Sequence, residues 1–277
     1  MYLEKEAIDF FRRYDLELPA TANRHGDDPS RILGRNLEFE QYNLYYPGDD
    51  IRDIDWKVYG RTDKLFVKKY GSDISANVRI IIDNSASMGY RDKLENAKRI
   101  AAILAYLLQS RKAGVWLSTV NNTYRDMGRL TLGGLEETLG RITPSDNTSL
   151  RGIPPARNKV VFLISDLWVT DLEPRFLTEN RVHVIHLLTP EELELRLHGN
   201  LEMIDMENDK RLQIIPSTIR ELYREKLRER TDGFRAALSE AFLLYDIFST
   251  EVVYYANLKR FLDRLSVILR RGKRWHS

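Results

Sequence analysis

The chain has 277 residues, room for one large domain or two small ones, and 43% of them are hydrophobic, enough for a buried core. Its 43 Lys and Arg nearly balance 41 Asp and Glu, and a net charge of +2 points to no acidic or basic partner. With no cysteine, disulfides, thiolate metal sites and cysteine nucleophiles are excluded together, and a cytoplasmic setting is expected.

The first residues carry Glu4, Glu6 and Asp9 in place of a basic start and an apolar run, so no signal peptide is expected. No apolar stretch approaches the ~18 to 20 residues of a membrane span. From Tyr2 to Tyr14, Leu3, Ala7, Phe10, Phe11 and Tyr14 fall at helical spacing, which predicts a helix with one apolar stripe. Packing on the chain's own core is the simpler use of that stripe; docking of a partner is the other. Pro19 ends the helix, and Thr21 to Ser30 reads as a polar loop.

Phe39 to Tyr70 is too rich in aromatic and charged residues for a linker: Tyr42, Tyr45, Tyr46, Trp56, Tyr59 and Phe66 lie between its ends. Pro47-Gly48-Asp49-Asp50 reads as a turn. Asp49, Asp50, Asp53 and Asp55 could form a second acidic metal site, but Arg52 and Arg61 would repel a cation, so a structural network of Arg–carboxylate pairs is the better reading. Trp56 is expected to be buried, clamping this segment to the sheet that follows.

Val78 to Gly89, V-R-I-I-I-D-N-S-A-S-M-G, is the centre of the chain. The run Val78 to Ile82 predicts a strand covered on both faces, in the middle of a parallel sheet. Asp83, Ser85 and Ser87 then alternate through a polar loop, and Gly89 allows a tight turn before a helix. Hard oxygen donors at the carboxyl end of a central strand suit Mg²⁺. The plainer reading is an Asx or Ser turn capping the next helix.

Lys93 to Ser110 predicts a helix with Leu94, Ala97, Ile100, Ala101, Leu104 and Leu108 inward. Val115 to Val120 is a strand, Thr123 to Thr131 its antiparallel edge neighbour, and Gly133-Gly134 opens a short helix through Leu139. Val160 to Ile164 and Val182 to Leu188 are further strands, separated by the helix-like stretch Glu173 to Glu179. His183 and His186 lie three positions apart in a strand, so they face opposite ways and are read as structural. Glu202 to Ile215 predicts a hairpin, Thr218 to Ala241 a long helix, Phe242 to Phe248 a last strand and Glu251 to Leu269 a closing helix. The basic end, Arg270, Arg271, Lys273 and Arg274, suits a helix C-terminus better than a phosphate or membrane contact. Alternating strands and helices predict an α/β, doubly wound, mostly parallel sheet with an N-terminal helical and β-rich extension, and the resemblances that follow imply that it is von Willebrand factor A- or Rossmann-like.

Two resemblances rest on these residues. Asp83-x-Ser85-x-Ser87 resembles the metal-ion-dependent adhesion site of von Willebrand factor A domains, which a Thr and an Asp from two later loops complete. Thr148 and Asp166 are the candidates: Asp166 ends the apolar run Val160 to Ile164 as Asp83 ends its own, and Thr148 lies in the polar loop before it. The resemblance implies one Mg²⁺ or Mn²⁺ contacted by Ser85, Ser87 and Thr148, with Asp83 and Asp166 acting through water. Tyr46 to Trp56, then Gly60-Arg61 and Leu65-Phe66-Val67, is similar to the signature of the DUF58 family, with Asn43 and Gly60 departing from the usual Arg and Ala.

The expected division is residues 1–76 as the signature segment and 77–277 as the von Willebrand-like domain, with a hairpin insertion near 200–215. The family resemblance implies an adaptor or co-chaperone of a MoxR-type AAA+ ATPase, binding a protein partner through an acidic side chain at the metal. A zinc-protease helix, a phosphate-binding loop and a nucleophile elbow are all absent from the sequence, and binding is expected without catalysis. The alternative is a metal-dependent phosphohydrolase or nuclease using Asp83 and Asp166 with the Asp49 to Asp55 cluster. No nucleic-acid partner is expected.

Overall fold

The structure, a computed structural model, describes residues 1–12, 14, 37–45, 54–72, 77–147, 150, 153, 160–168, 177, 182–206, 210–241 and 243–273. It divides into a larger unit, Met1–Thr21 with Ala76–Ser277, and a smaller one, Ala22–Ser75.

In the smaller unit, β1 (Leu37–Leu44) pairs antiparallel with β2 (Phe66–Ser72), and α2 (Trp56–Thr62) lies between them in the chain. Ile54 bridges to Val67, and both side chains are buried. Asp55 follows and caps α2, its carboxylate accepting from the backbone N–H groups of Lys57 and Val58. Asp63 closes α2 in the left-handed region at φ 53°. Trp56 overturns its expectation: it is 64% exposed, with its ring edge-on to Tyr59. Its place as the first helical residue turns it away from the strand pairing, and Ile54 is the residue that anchors the turn. Arg61 is exposed, and the rest of the expected Arg–carboxylate network, Arg52 with Asp49, Asp50 and Asp53, lies outside the described residues.

The larger unit is built on a six-stranded sheet in the order β10-β7-β6-β3-β4-β5. These are β3 (Asn77–Asp83), β4 (Gly114–Val120), β5 (Tyr124–Arg129), β6 (Val160–Ser165), β7 (Val182–Leu188) and β10 (Tyr245–Ser249). All neighbours are parallel except β5, which returns antiparallel along β4 at the edge. The order reverses direction between β3 and β6, so the crevice outside their carboxyl ends is the topological switch point, where open α/β sheets bind ligands.

Each face of the sheet carries its own core, which is why these strands read as unbroken apolar runs. On one face, Ile80, Ile82, Phe162, Ile164 and Leu187 pack with Ala7 and Phe11 of α1 (Lys5–Phe11), with α3 (Lys93–Gln109) and with α7 (Tyr254–Lys273). On the other, Ile81, Val161, Leu163, Val184 and Tyr245 pack with Leu177 and with Phe234 and Leu238 of α6 (Pro216–Glu240). Ala7 and Phe11 of the α1 stripe thus pack on the core, while Phe10 stays 46% exposed with its ring against Tyr255. α4 (Leu135–Gly140) and α5 (Pro190–Glu194) are short, and β8 (Leu201–Ile204) pairs with β9 (Arg211–Ile214) as the expected hairpin.

The last strand begins at Tyr245, later than the sequence suggested, because the N–H groups of Ala241 and Leu243 both return to the Leu238 carbonyl and finish α6 first. The stretch Glu173 to Glu179 lies outside the described residues except for Leu177. Among the described residues no helix is long and apolar enough to cross a membrane.

Candidate metal centre

β3 delivers Asp83 to the switch point and turns immediately. The Asp83 Oδ1 accepts the Ser85 N–H at 2.9 Å, folding the loop back on its own carboxylate. The Asp83 Oδ2 accepts the Ser165 hydroxyl at 2.5 Å from the neighbouring strand β6. Ser85 and Ser87 hold their hydroxyls 3.1 Å apart, and residues Ala86–Gly89 form a single 3₁₀ turn. The loop is pinned from outside by Ala86, whose N–H donates to the Asp146 carbonyl, and by Asn84, whose amide donates to the Thr143 carbonyl. Gly89 suits a close approach: a Cβ there would stand 3.0 Å from the Pro144 Cγ, and the proline ring would have to shift to accept it.

Asp83 is fully buried. Burial, and then the charge of Asp166, push its carboxyl up to about 7 against opposing hydrogen bonds from Ser165 and Ser85. Asp166 is also buried, just beyond β6. Its Oδ2 accepts the Lys93 ammonium at 2.7 Å, and its Oδ1 the Trp168 N–H at 3.3 Å. The same ammonium donates to Glu192 Oε1 at 2.6 Å. Burial works against a charged Lys93, but the carboxylates of Asp166 and Glu192 outweigh it and hold the ammonium above its ordinary range.

Of the five candidate ligands, Asp83, Ser85 and Ser87 lie on one loop. Asp166 faces them from the neighbouring strand end, near enough for its charge to act on Asp83, and Thr148 lies outside the described residues. The donors are hydroxyls and carboxylates, hard oxygens of the kind Mg²⁺ and Mn²⁺ take. No cluster of three or more His, Cys, Asp or Glu among the described residues is placed to hold a metal.

His183 and His186 point to opposite faces of β7, as their spacing predicts. His183 accepts the Leu244 N–H at Nδ1, while His186 Nε2 donates to the Asp166 carbonyl at 2.8 Å. Burial pulls His186 down to about 4, so it is a neutral brace behind the Asp166 loop.

Sequence reasoning missed Lys93, Glu192 and Ser165. A lysine in the first turn of a helix opposes the helix dipole, and that misfit was the available signal for Lys93. Glu192 is the fourth residue of Thr189-Pro190-Glu191-Glu192, a capping box that opens α5. Beside the loop lies a cavity of about 290 Å³, lined by Asn84, Asn121, Thr123, Arg125, Arg141 and Asp146 among others.

Residues 41–233, more than half of the chain, match the family described as "Protein of unknown function DUF58". Over 87 residues, 30% of this chain, the sequence is 33% identical to the uncharacterized proteins Rv1480 of Mycobacterium tuberculosis and Mb1516 of Mycobacterium bovis, and the stretch spans 27% of their length. Among solved structures, the conserved hypothetical protein BatB from Bacteroides thetaiotaomicron is similar at a TM-score of 0.46 and 13% identity, over 71% of this chain and 100% of that one. An aerotolerance-related membrane protein from Bacteroides fragilis is similar at 0.44 and 13%, over 69% and 100% of the two chains. A von Willebrand factor type A protein from Catenulispora acidiphila is similar at 0.31 and 18%, over 58% and 43%. Likeness at this level carries nothing about function; the family match does carry membership, and the chain belongs to the DUF58 family.

Proposed function

We propose that this protein is a Mg²⁺- or Mn²⁺-dependent protein-interaction module. The observation that carries the reading is the pair of hydroxyls, Ser85 and Ser87, 3.1 Å apart beside a buried carboxylate at the switch point of the sheet. Ser85, Ser87 and Thr148 would hold the ion, with Asp83 and Asp166 supporting it. When bound, the ion supplies a positive centre that attracts an acidic side chain of a partner. The chain's own residues do the rest: Ser165 and the Ser85 N–H orient Asp83, and His186 and Trp168 fix the Asp166 loop. We assign the partner as a MoxR-type AAA+ ATPase or its client, an assignment resting on resemblance to DUF58 proteins. The role is adaptor or co-chaperone.

The alternative, a metal-dependent phosphohydrolase or nuclease, draws on the cluster Asp49 to Asp55. Asp55 has its carboxylate committed to the backbone of α2, and Asp49, Asp50 and Asp53 lie outside the described residues, so no observation favours that reading.

Loops carry binding while the strands behind them carry stability. Ser85→Ala and Thr148→Ala should therefore keep the wild-type circular dichroism spectrum and lose partners captured in Mg²⁺ but not in chelator. Retention of every Mg²⁺-dependent partner by both variants would overturn the reading.

A further inference from the structure

Lys93 is held from two sides at the switch point and has no part in the function proposed above. Its ammonium is fully buried, 2.7 Å from Asp166 and 2.6 Å from Glu192. Glu192 is fixed independently. Its Oε1 also accepts the Trp168 indole N–H at 3.2 Å, its Oε2 accepts the Thr189 N–H at 2.8 Å, and its carbonyl accepts the Tyr223 hydroxyl. Lys93 therefore does not swing between partners; it is clamped between two carboxylates from different parts of the chain. A positive charge at the first residue of a 17-residue helix works against the helix dipole, and burial works against it again. The two carboxylates compensate, together with the face of the Tyr90 ring, whose centroid is 5.8 Å from the ammonium.

We infer that Lys93 is a built-in counter-cation: it neutralises Asp166 so that the fold stands without a divalent ion, and it competes with that ion for the same carboxylate. The inference rests on the metal reading and adds what regulates the site. Two carboxylates, Asp83 and Asp166, meet at the strand ends. Without Lys93 they would leave uncompensated buried charge, and the fold would depend on the metal. With Lys93, only part of that negative charge is left to attract an ion. The site is thereby set to weak, reversible binding, which suits a module whose metal completes its shell with a partner's carboxylate.

The test is Mg²⁺ titration by calorimetry, with thermal melts in Mg²⁺ and in chelator, on wild type, Lys93→Met and the double variant Lys93→Met/Glu192→Gln. The double variant removes one positive and one negative charge together and so preserves the net charge of the cluster. A divalent ion and an ammonium sharing one carboxylate repel each other even when screened as by bulk water, so Lys93→Met should bind Mg²⁺ at least about tenfold more tightly than wild type, and the double variant, which also loses the attraction of Glu192, should fall between the two. Their melting temperatures should also fall further in chelator than that of wild type. If Lys93→Met is unfolded in chelator, recovery of its helical spectrum on adding Mg²⁺ supports the inference. Equal Mg²⁺ affinities in all three proteins, with equal gaps between melts, would overturn it while leaving the metal reading intact. Absence of Mg²⁺ binding in all three would remove the metal reading and this inference with it.

Discussion

His186 engages both ring nitrogens: the Nε2–H donates to the Asp166 carbonyl, and Nδ1 accepts from the Tyr245 hydroxyl at 2.5 Å. One neutral tautomer satisfies both partners, and burial holds that neutral form down to about 4. Between pH 6.5 and about 4 the unfolded chain takes up a proton that the folded chain refuses, so this group's contribution is intact above 6.5 and is lost as pH falls. Asp83 acts with the opposite sign. Its carboxyl is raised from 3.8 to about 7, so its contribution is intact below 3.8 and lost as pH rises through 7. Because the two offset each other over most of that window, global stability is a poor reporter. A site-resolved NMR titration of the His186 ring should show no protonation above about pH 5; a midpoint near 6.5 would contradict the buried hydrogen-bonded ring.

At the scale of elements, the smaller unit's helix reverses the expected ranking of two neighbouring residues. Asp55→Ala removes the cap of α2 and should cost about 1 kcal/mol. Trp56→Ala removes a ring that is already mostly in solvent and should change stability by under about 0.5 kcal/mol. Chemical denaturation of the two variants checks the order. In the larger unit, Leu104 of α3 is fully buried, and Leu104→Ala should cost about 2 to 5 kcal/mol, whereas Leu222→Ala on the exposed face of α6 should be near neutral.

These contrasts separate what was legible in the sequence from what was not. α3 was readable because its apolar residues repeat at helical spacing, and β3, β6 and β7 because strands covered on both faces become short apolar runs. Trp56 was misjudged because its exposure depends on where a helix begins, and Asp55 decides that by capping. An aromatic in a dense signature gives no clue to which side of a helix start it falls.

At the scale of the molecule, the doubly wound sheet was legible because alternating strands and helices leave few ways to connect, and the antiparallel edge strand β5 fell where a return along β4 was expected. Half of the candidate centre was legible for the same reason: a polar residue ending a buried strand sits at the sheet's carboxyl edge, which placed Asp83 and Asp166. The other half was not. Lys93 meets Asp166 across 73 residues and Glu192 across 99, and no local pattern encodes a contact between the start of one helix and a loop that far away. The two cores lie on the faces behind this edge, so Ser85→Ala and Ser87→Ala in the loop should leave the chain folded.

Whether the loop after β3 takes a divalent ion is decided by calorimetric titration of Mg²⁺ into wild type and Asp83→Ala. Wild type should take up one ion per chain, and Asp83→Ala should bind none. Indistinguishable titrations of the two proteins would contradict the metal reading.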